Sequence, residues 1–421
     1  MDERIQELID FTKAKFGLDD YYLERHGISR NVNIFNETIY TFDMEWFPKH
    51  IAKPDDDSNP DGTAVIEINL NTGKFDSVIF VMGKTYARDG IAFPNMDSNE
   101  IIKWIEEETG LIYGKQFQLR RQQEREFYFE GCIDGIAVSP GAFIEVNLDQ
   151  DGKLTLFSVT GPFPSKNMVI EETYHLSLEK IEHLAKEQLK LIEYPSDEQK
   201  KIIPVYGVEE IFVTNDGRST IPYGLDDSPY VRIDEIIVWD EPMNEPFERK
   251  EIRWFEDITA EQAFSNEPSP DSFPITKEEQ DRCVQSVKDF LRQVYPNDTG
   301  KWLLKTLKRN KGYIHATVRA NYRDDGVFQR KLEIIIDANR FQAVNYLDNE
   351  MMLRIFDQFQ APDEVTVTKE EAFEKIKEWF ELKPVYIYDF EQKQYVLCGK
   401  IDCQYGVNAA SGEVILLDEL I

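Results

Sequence analysis

The chain has 421 residues, of which 41% are hydrophobic and 12% aromatic, so it can bury a large core and is not globally disordered. It carries 79 acidic and 48 basic residues, a formal net charge of −31. Because phosphate groups and anionic lipids are bound by clustered Lys and Arg, this excess of acid argues against a nucleic-acid partner and against docking on a membrane surface.

The composition also bears on location. The N-terminus has no basic start followed by an apolar stretch, and no run approaches the ~20 apolar residues that span a bilayer. The chain has four cysteines: Cys132, Cys283, Cys398 and Cys403. So few cysteines are typical of a protein with reduced thiols and not of one held together by disulfides. Five positions separate the last two, which places them on opposite faces of a regular strand and disfavours a disulfide. We therefore expect a cytoplasmic protein without membrane insertion.

Five amphipathic segments predict helices along the chain. Their starts lie near Asp2, Asp97, Ser177, Thr276 and Thr368. Thr276-Lys-Glu-Glu and Thr368-Lys-Glu-Glu are nearly identical capping boxes. The starts recur roughly every 80 to 100 residues, which indicates an internal repeat.

Each predicted helix is followed by segments typical of antiparallel strands, rich in β-branched and aromatic residues. Three strand-to-turn joints resemble one another, and their turns contain Gly73, Gly152 and Gly412, where a positive φ is expected. A fourth joint, 334–341, keeps the strand and Asp337 but lacks the glycine. The third repeat fits badly, because residues 231–237 alternate between apolar and polar side chains but are not followed by the glycine turn.

These elements predict an α+β fold of tandem units, each with one helix packed on a small antiparallel sheet. Polar residues and three prolines between Ser265 and Pro274 predict a linker. The predicted organisation is unit 1 at 1–90, unit 2 at 97–170, unit 3 at 176–262, a linker at 263–275, unit 4 at 276–350 and unit 5 at 366–421.

Short motifs suggest a family. The helix start at Thr368, the Pro384-Val-Tyr strand entry and the turn Asn408-Ala-Ala-Ser-Gly-Glu-Val resemble the PepSY and YcdB/YcdC-type repeats of Gram-positive bacteria. The match is best over 368–417, fair over 276–347 and weak before 260. The resemblance implies a non-catalytic binding or inhibitory module whose partner is a peptidase or a cell-wall hydrolase. Relatives are often exported or membrane-anchored.

The sequence contains few signs of a catalytic site. No nucleophile elbow, zinc-protease helix, Walker loop or dinucleotide-binding turn occurs in the sequence. The histidines are His26, His50, His175, His183 and His315. His175 and His183 are too far apart for a metal pair on one helix face. His315 lies in an alternating strand without an identifiable partner, which favours a packed structural role. We predict no catalytic, cofactor-binding or metal-binding residue and do not expect an enzyme.

One acidic stretch resembles the opening of a calcium loop. Asp57, Asn59, Asp61 and Gly62 have the required spacing, but the twelfth position, where a bidentate Glu belongs, is Ile68. An acidic, solvated turn is the favoured interpretation. A similar spacing at 147–152 is better explained by a hairpin turn.

Aromatic residues are frequent in the middle of the chain and are expected mostly in the core, although an exposed group would form a docking patch. We therefore expect a protein or peptide partner, held by a sheet face or an edge strand. Two alternatives remain: a hydrolase that uses paired carboxylates, and a scaffolding protein of a stress or spore layer held in homo-oligomers.

Overall fold

A computed structural model describes residues 2–53, 58–208, 210–222, 230–321, 329–390 and 392–420. The architecture is α+β, with helices packed on antiparallel sheets as predicted. Up to residue 170 the elements are α1 (Glu3–Lys15), β1 (Tyr21–Val32), β2 (Thr38–Pro48), β3 (Ala64–Asn69), β4 (Lys74–Phe80), α2 (Ser98–Thr109), β5 (Phe117–Gln123), β6 (Glu126–Ile133), β7 (Ile136–Ser139), β8 (Phe143–Leu148) and β9 (Leu154–Thr160).

The remaining chain continues the same alternation of helix and strands. Its elements are α3 (Leu178–Gln188), β10 (Leu189–Ser196), β11 (Lys201–Val208), β12 (Ile211–Thr214), β13 (Thr220–Pro222), β14 (Val231–Ile237), α4 (Ala260–Phe264), α5 (Lys277–Val294), β15 (Trp302–Asn310), β16 (Tyr313–Ala320), β17 (Lys331–Asp337), β18 (Ala343–Asp348), α6 (Glu350–Leu353), α7 (Lys369–Ile376), β19 (Glu381–Asp389), β20 (Gln394–Asp402), β21 (Tyr405–Asn408) and β22 (Val414–Leu416).

Contacts between residues divide the chain into two compact units. The first unit contains Met1–Ile170, Phe255–Ser272 and Val385–Val396, and the second contains Glu171–Trp254, Phe273–Pro384 and Leu397–Ile421. Each unit therefore combines segments that are distant in the sequence. The finer division into five repeats stays a prediction.

In the first unit, the order β1-β2-β3-β4-β9-β8-β6 forms one antiparallel sheet. Strands β4 and β9 join the sheets of the first two predicted repeats, with Ser77 opposite Ser158. One face of the strands is apolar, as in β2, where Phe42 and Met44 are fully buried. This face and the apolar sides of α1 and α2 form one core.

Part of the predicted linker is held against the first unit. The Tyr40 hydroxyl donates a hydrogen bond to the Glu267 carbonyl at 2.7 Å, and the Ser269 amide donates one to the Thr38 hydroxyl oxygen at 2.8 Å. The Asn36 side chain donates to the Ser272 carbonyl at 2.5 Å. These bonds satisfy backbone groups of a segment whose prolines prevent regular pairing.

The second unit contains a five-stranded antiparallel sheet of order β14-β15-β16-β17-β18. Helix α5 packs on it through Cys283, Val287, Phe290 and Leu291. A separate core is shared by α3, α7, β11 and β21, where Val205 lies opposite Asn408. Strands and helices from the third and fifth predicted repeats thus build one core.

Candidate functional site

An exposed apolar segment of the second unit begins at the end of strand β18. We call residues 347–360 the methionine segment. Its large apolar side chains are strongly exposed: Leu347 at 62%, Met351 at 72%, Met352 at 69% and Ile355 at 55%. Apolar side chains concentrated on an exposed surface are typical of sites where other molecules dock.

The start of the methionine segment is fixed by a partly buried cluster of ion pairs. Arg330 donates hydrogen bonds to both Asp348 carboxylate oxygens, and its second amino group also reaches Glu350 at 2.8 Å. The Tyr295 hydroxyl donates to Asp348 at 2.5 Å. Burial opposes the charged form of Asp348, but the hydrogen bonds from Tyr295 and Arg330 outweigh it and lower the pKa of Asp348. The carboxylate is therefore a charged anchor.

The end of the segment is fixed by main-chain hydrogen bonds. The Gln360 amide donates to the Lys200 carbonyl at 2.9 Å, and the Ile202 amide donates to the Gln360 carbonyl at 3.0 Å. Phe356 and Phe359 stack edge to face with centroids 5.3 Å apart. A segment tied at both ends presents Met351 and Met352 with little ordering cost on binding.

The surroundings of the segment are acidic. Residues 347–367 contain five acids and one base, Arg354. Asp357 and Glu364 are exposed. Asp348 and Glu350 pair with Arg330, and Asp363 pairs with Lys201. Most of the negative charge beside this apolar surface therefore comes from Asp357 and Glu364.

His315 has a partner that the sequence did not identify. Its Nδ1 lies 2.6 Å from an oxygen of Glu333, on the neighbouring strand β17. This hydrogen bond lowers the pKa of Glu333, although burial opposes the shift. Trp254 lies over the imidazole with centroids 5.9 Å apart. The Nε2 atom is buried and has no hydrogen-bond partner among the described residues, whereas a general base must lie within hydrogen-bond reach of the proton that it abstracts.

A row of carboxyl groups crosses the outer face of the first unit's sheet. Asp43 lies opposite Glu67, and Asp76 lies at the β-bulge beside Glu67. Burial raises the pKa of Asp43 to about 6, and the charge of Glu67 adds to the rise. Burial also raises the pKa of Asp76 to about 6. The pKa of Glu67 is raised as well, by burial and by the nearby charge of Asp76.

Side chains of the stretch that resembles a calcium loop contact basic residues of the first unit. Asp57 lies outside the described residues. Asn59 accepts a hydrogen bond from Arg25 at 2.9 Å, and Asp61 pairs with Lys84 at 2.6 Å. In the similar stretch, Asp149 accepts hydrogen bonds from the amides of Asp151 and Lys153, both at 2.9 Å, which is a hairpin turn. Among the described residues, no three potential ligands converge in a metal-binding group.

The cysteines have structural surroundings, because they are packed inside the protein. All four cysteines are buried thiols outside any disulfide bond. A cavity of about 10 Å³ in the first unit, lined in part by Phe16, Phe80 and Leu154, has room for a water molecule and not for a substrate. In the part of the chain that the structure describes, no helix has the length and apolarity of a membrane span.

The exposed methionines were not singled out from the sequence. The only local signal is the Met-Met-Leu run in an acidic stretch, and such a run fits a buried helix equally well. Of the aromatic residues expected mainly in the core, Phe127 and Phe129 are fully buried, while Trp254 is 39% and Phe255 94% exposed.

No protein-family model matches the chain, and no curated protein matches it. One solved structure with a loose likeness is the Bacillus megaterium YpeB C-terminal domain. The likeness has a TM-score of 0.24 and 8% sequence identity, and it covers 83% of this chain and 97% of that chain. A similarity at this level supports no inference about family or function.

Proposed function

We propose that the chain is a non-catalytic binding protein that holds a basic, amphipathic segment of a partner protein on its methionine segment. The observation that carries this proposal is the exposure of Leu347, Met351, Met352 and Ile355 on one segment that is fixed at both ends. The resemblance to PepSY and YcdB/YcdC-type repeats points to a peptidase or cell-wall hydrolase as the partner class. Buried cysteines outside any disulfide bond are compatible with a cytoplasmic location.

The energetics favour an apolar contact that is guided by charge. Full burial of one methionine side chain contributes about 1.5–3 kcal/mol, so two methionines supply enough for a transient complex. The unbranched thioether adapts to partners of different shape. The acids around the segment, Asp357 and Glu364 among them, attract a cationic partner and make its association sensitive to salt.

The test uses a synthetic helical peptide with Leu on one face and Lys on the other, titrated into the full chain by isothermal calorimetry. We expect binding that weakens as salt rises, because the charges on both surfaces are screened. The double substitution Met351→Glu and Met352→Glu should weaken it at least ~10-fold, since it removes apolar contact area.

The matched control is Met82→Glu. Met82 is 73% exposed and lies in the first unit, so this substitution adds a charge at an equally exposed methionine away from the methionine segment. It should leave the affinity unchanged. Equal losses in the two variants, or equal binding of a Leu and Glu peptide, would contradict the proposal. The paired-carboxylate hydrolase and the scaffolding protein stay predictions.

A further inference from the structure

We infer that Met351 and Met352 form an oxidation site at which a peroxide switches partner binding off. The inference rests on the proposed function, because it concerns the same surface. Both thioethers are accessible to a small oxidant, with exposures of 72% and 69%, whereas Met44 in the core of the first unit is fully buried. The site would take hydrogen peroxide or a related two-electron oxidant.

The reaction balances without a cofactor. The methionine sulfur attacks one peroxide oxygen, so an S–O bond forms while the O–O bond breaks. The departing hydroxide takes the proton that remains on the transferred oxygen, which releases water and leaves the neutral sulfoxide. Sulfur loses two electrons, the peroxide gains them, and the product is methionine sulfoxide, which sulfoxide reductases return to the thioether.

Oxidation changes the character of the surface at its most exposed points. A sulfoxide is polar and has a strong hydrogen-bond acceptor, so its burial beneath an apolar partner face leaves that acceptor unpaired. Two neighbouring sulfoxides on α6 remove the apolar contact that the partner would cover. The anchors at Arg330 and Gln360 contain no sulfur, so the fold of the segment is preserved.

The first measurement is peptide mapping by mass spectrometry after graded hydrogen peroxide. Each of Met351 and Met352 should gain one oxygen at low doses, while Met44 stays unmodified. The Met82→Leu background removes Met82, an exposed methionine of the first unit, as a competing cause. The oxidised and reduced chains are then titrated with the Leu and Lys peptide, and oxidation should weaken binding about 10-fold.

The variant Met351→Leu and Met352→Leu, in the same background, keeps the surface apolar but forms no sulfoxide. It should bind the peptide with or without peroxide treatment. Unchanged affinity of a chain oxidised at both sulfurs overturns the switch while leaving the proposed function standing. Failure of the reduced chain to bind overturns both. Loss of binding by the peroxide-treated leucine variant assigns the effect elsewhere and overturns the switch.

Discussion

At the scale of single residues, the carboxyl row of Asp43, Glu67 and Asp76 concentrates like charge on adjacent strands. Ser29 and Asn69 donate hydrogen bonds that partly offset burial at Asp43 and Asp76, yet both carboxyl groups keep a pKa of about 6. The folded chain therefore binds protons in a pH range where an unfolded aspartate has released them.

The stability of the first unit should depend on this row. A raised pKa in the folded state contributes stability that is complete below the unfolded value near pH 4 and is lost as the pH rises through about 6. After allowance for solvent screening, Asp43 and Asp76 together should account for about 1–2 kcal/mol of unfolding free energy between those limits. Urea unfolding at several pH values measures it.

The double substitution Asp43→Asn and Asp76→Asn should flatten the pH profile, and the difference from the unsubstituted chain is the informative quantity. Glu7→Gln, at an exposed position of α1, serves as the control and should leave the profile unchanged. A double variant with the original slope would show that these two groups do not titrate between pH 4 and 6.

At the scale of elements, the helix starts were predictable because capping is a local interaction. Asp2, Asp97, Thr276 and Thr368 each accept a hydrogen bond from a backbone amide of the first turn. The two Thr-Lys-Glu-Glu sequences form reciprocal capping boxes. Ser177 occupies the cap position of α3, but its side chain makes no capping hydrogen bond.

This difference gives a matched comparison within the second unit. Thr276→Ala and Thr368→Ala should each lower the free energy of unfolding by about 1 kcal/mol, because a first-turn amide loses its acceptor. Ser177→Ala should change it by a few tenths at most. Urea unfolding of the three variants measures the effect, and an equal cost at Ser177 would refute the argument from caps.

The presence of the strands could be predicted from the sequence, but the pairing of one strand with another could not. Alternation identifies a strand and its buried face, as in β16, where Ile314 and Ala316 are buried and His315 lies on the other face. It does not identify the strand that pairs with it. Glu333 meets His315 only because β17 lies beside β16, and 231–237 becomes an edge strand only because it pairs with β15.

At the scale of the whole molecule, the chain does not fold as a string of segments in sequence order. Val385–Val396 belongs to the first unit, where Tyr388 and Tyr395 lie 5.0 and 6.4 Å, centroid to centroid, from Phe35. Tyr395 is fully buried. A segment from the last predicted repeat thus packs its aromatic rings against the turn between β1 and β2.

Truncation after Val365 should therefore loosen the first unit as well as remove the last predicted repeat. Hydrogen exchange of the β1–β2 hairpin should accelerate, because the rings that cover Phe35 are lost.

In the full chain, Tyr395→Ala should have the same effect on the hairpin and lower the free energy of unfolding by about 3–5 kcal/mol. Trp379→Ala, at a half-exposed site in the second unit, is the control. An unchanged hairpin in the truncated chain would mean that the first repeats fold alone.

Local residue patterns were enough to predict the α+β class, the helix starts and the turns at Gly73, Gly152 and Gly412, all of which have positive φ. These features depend on residues within a few positions of one another. The pairing of the strands, the segments that share a core and the apolar side chains that stay outside it depend on contacts between distant parts of the chain. The segment that carries Met351 and Met352 is anchored at Asp348 by Arg330, beside the neighbouring strand β17, and at Gln360 by main-chain bonds to Lys200 and Ile202, far earlier in the sequence.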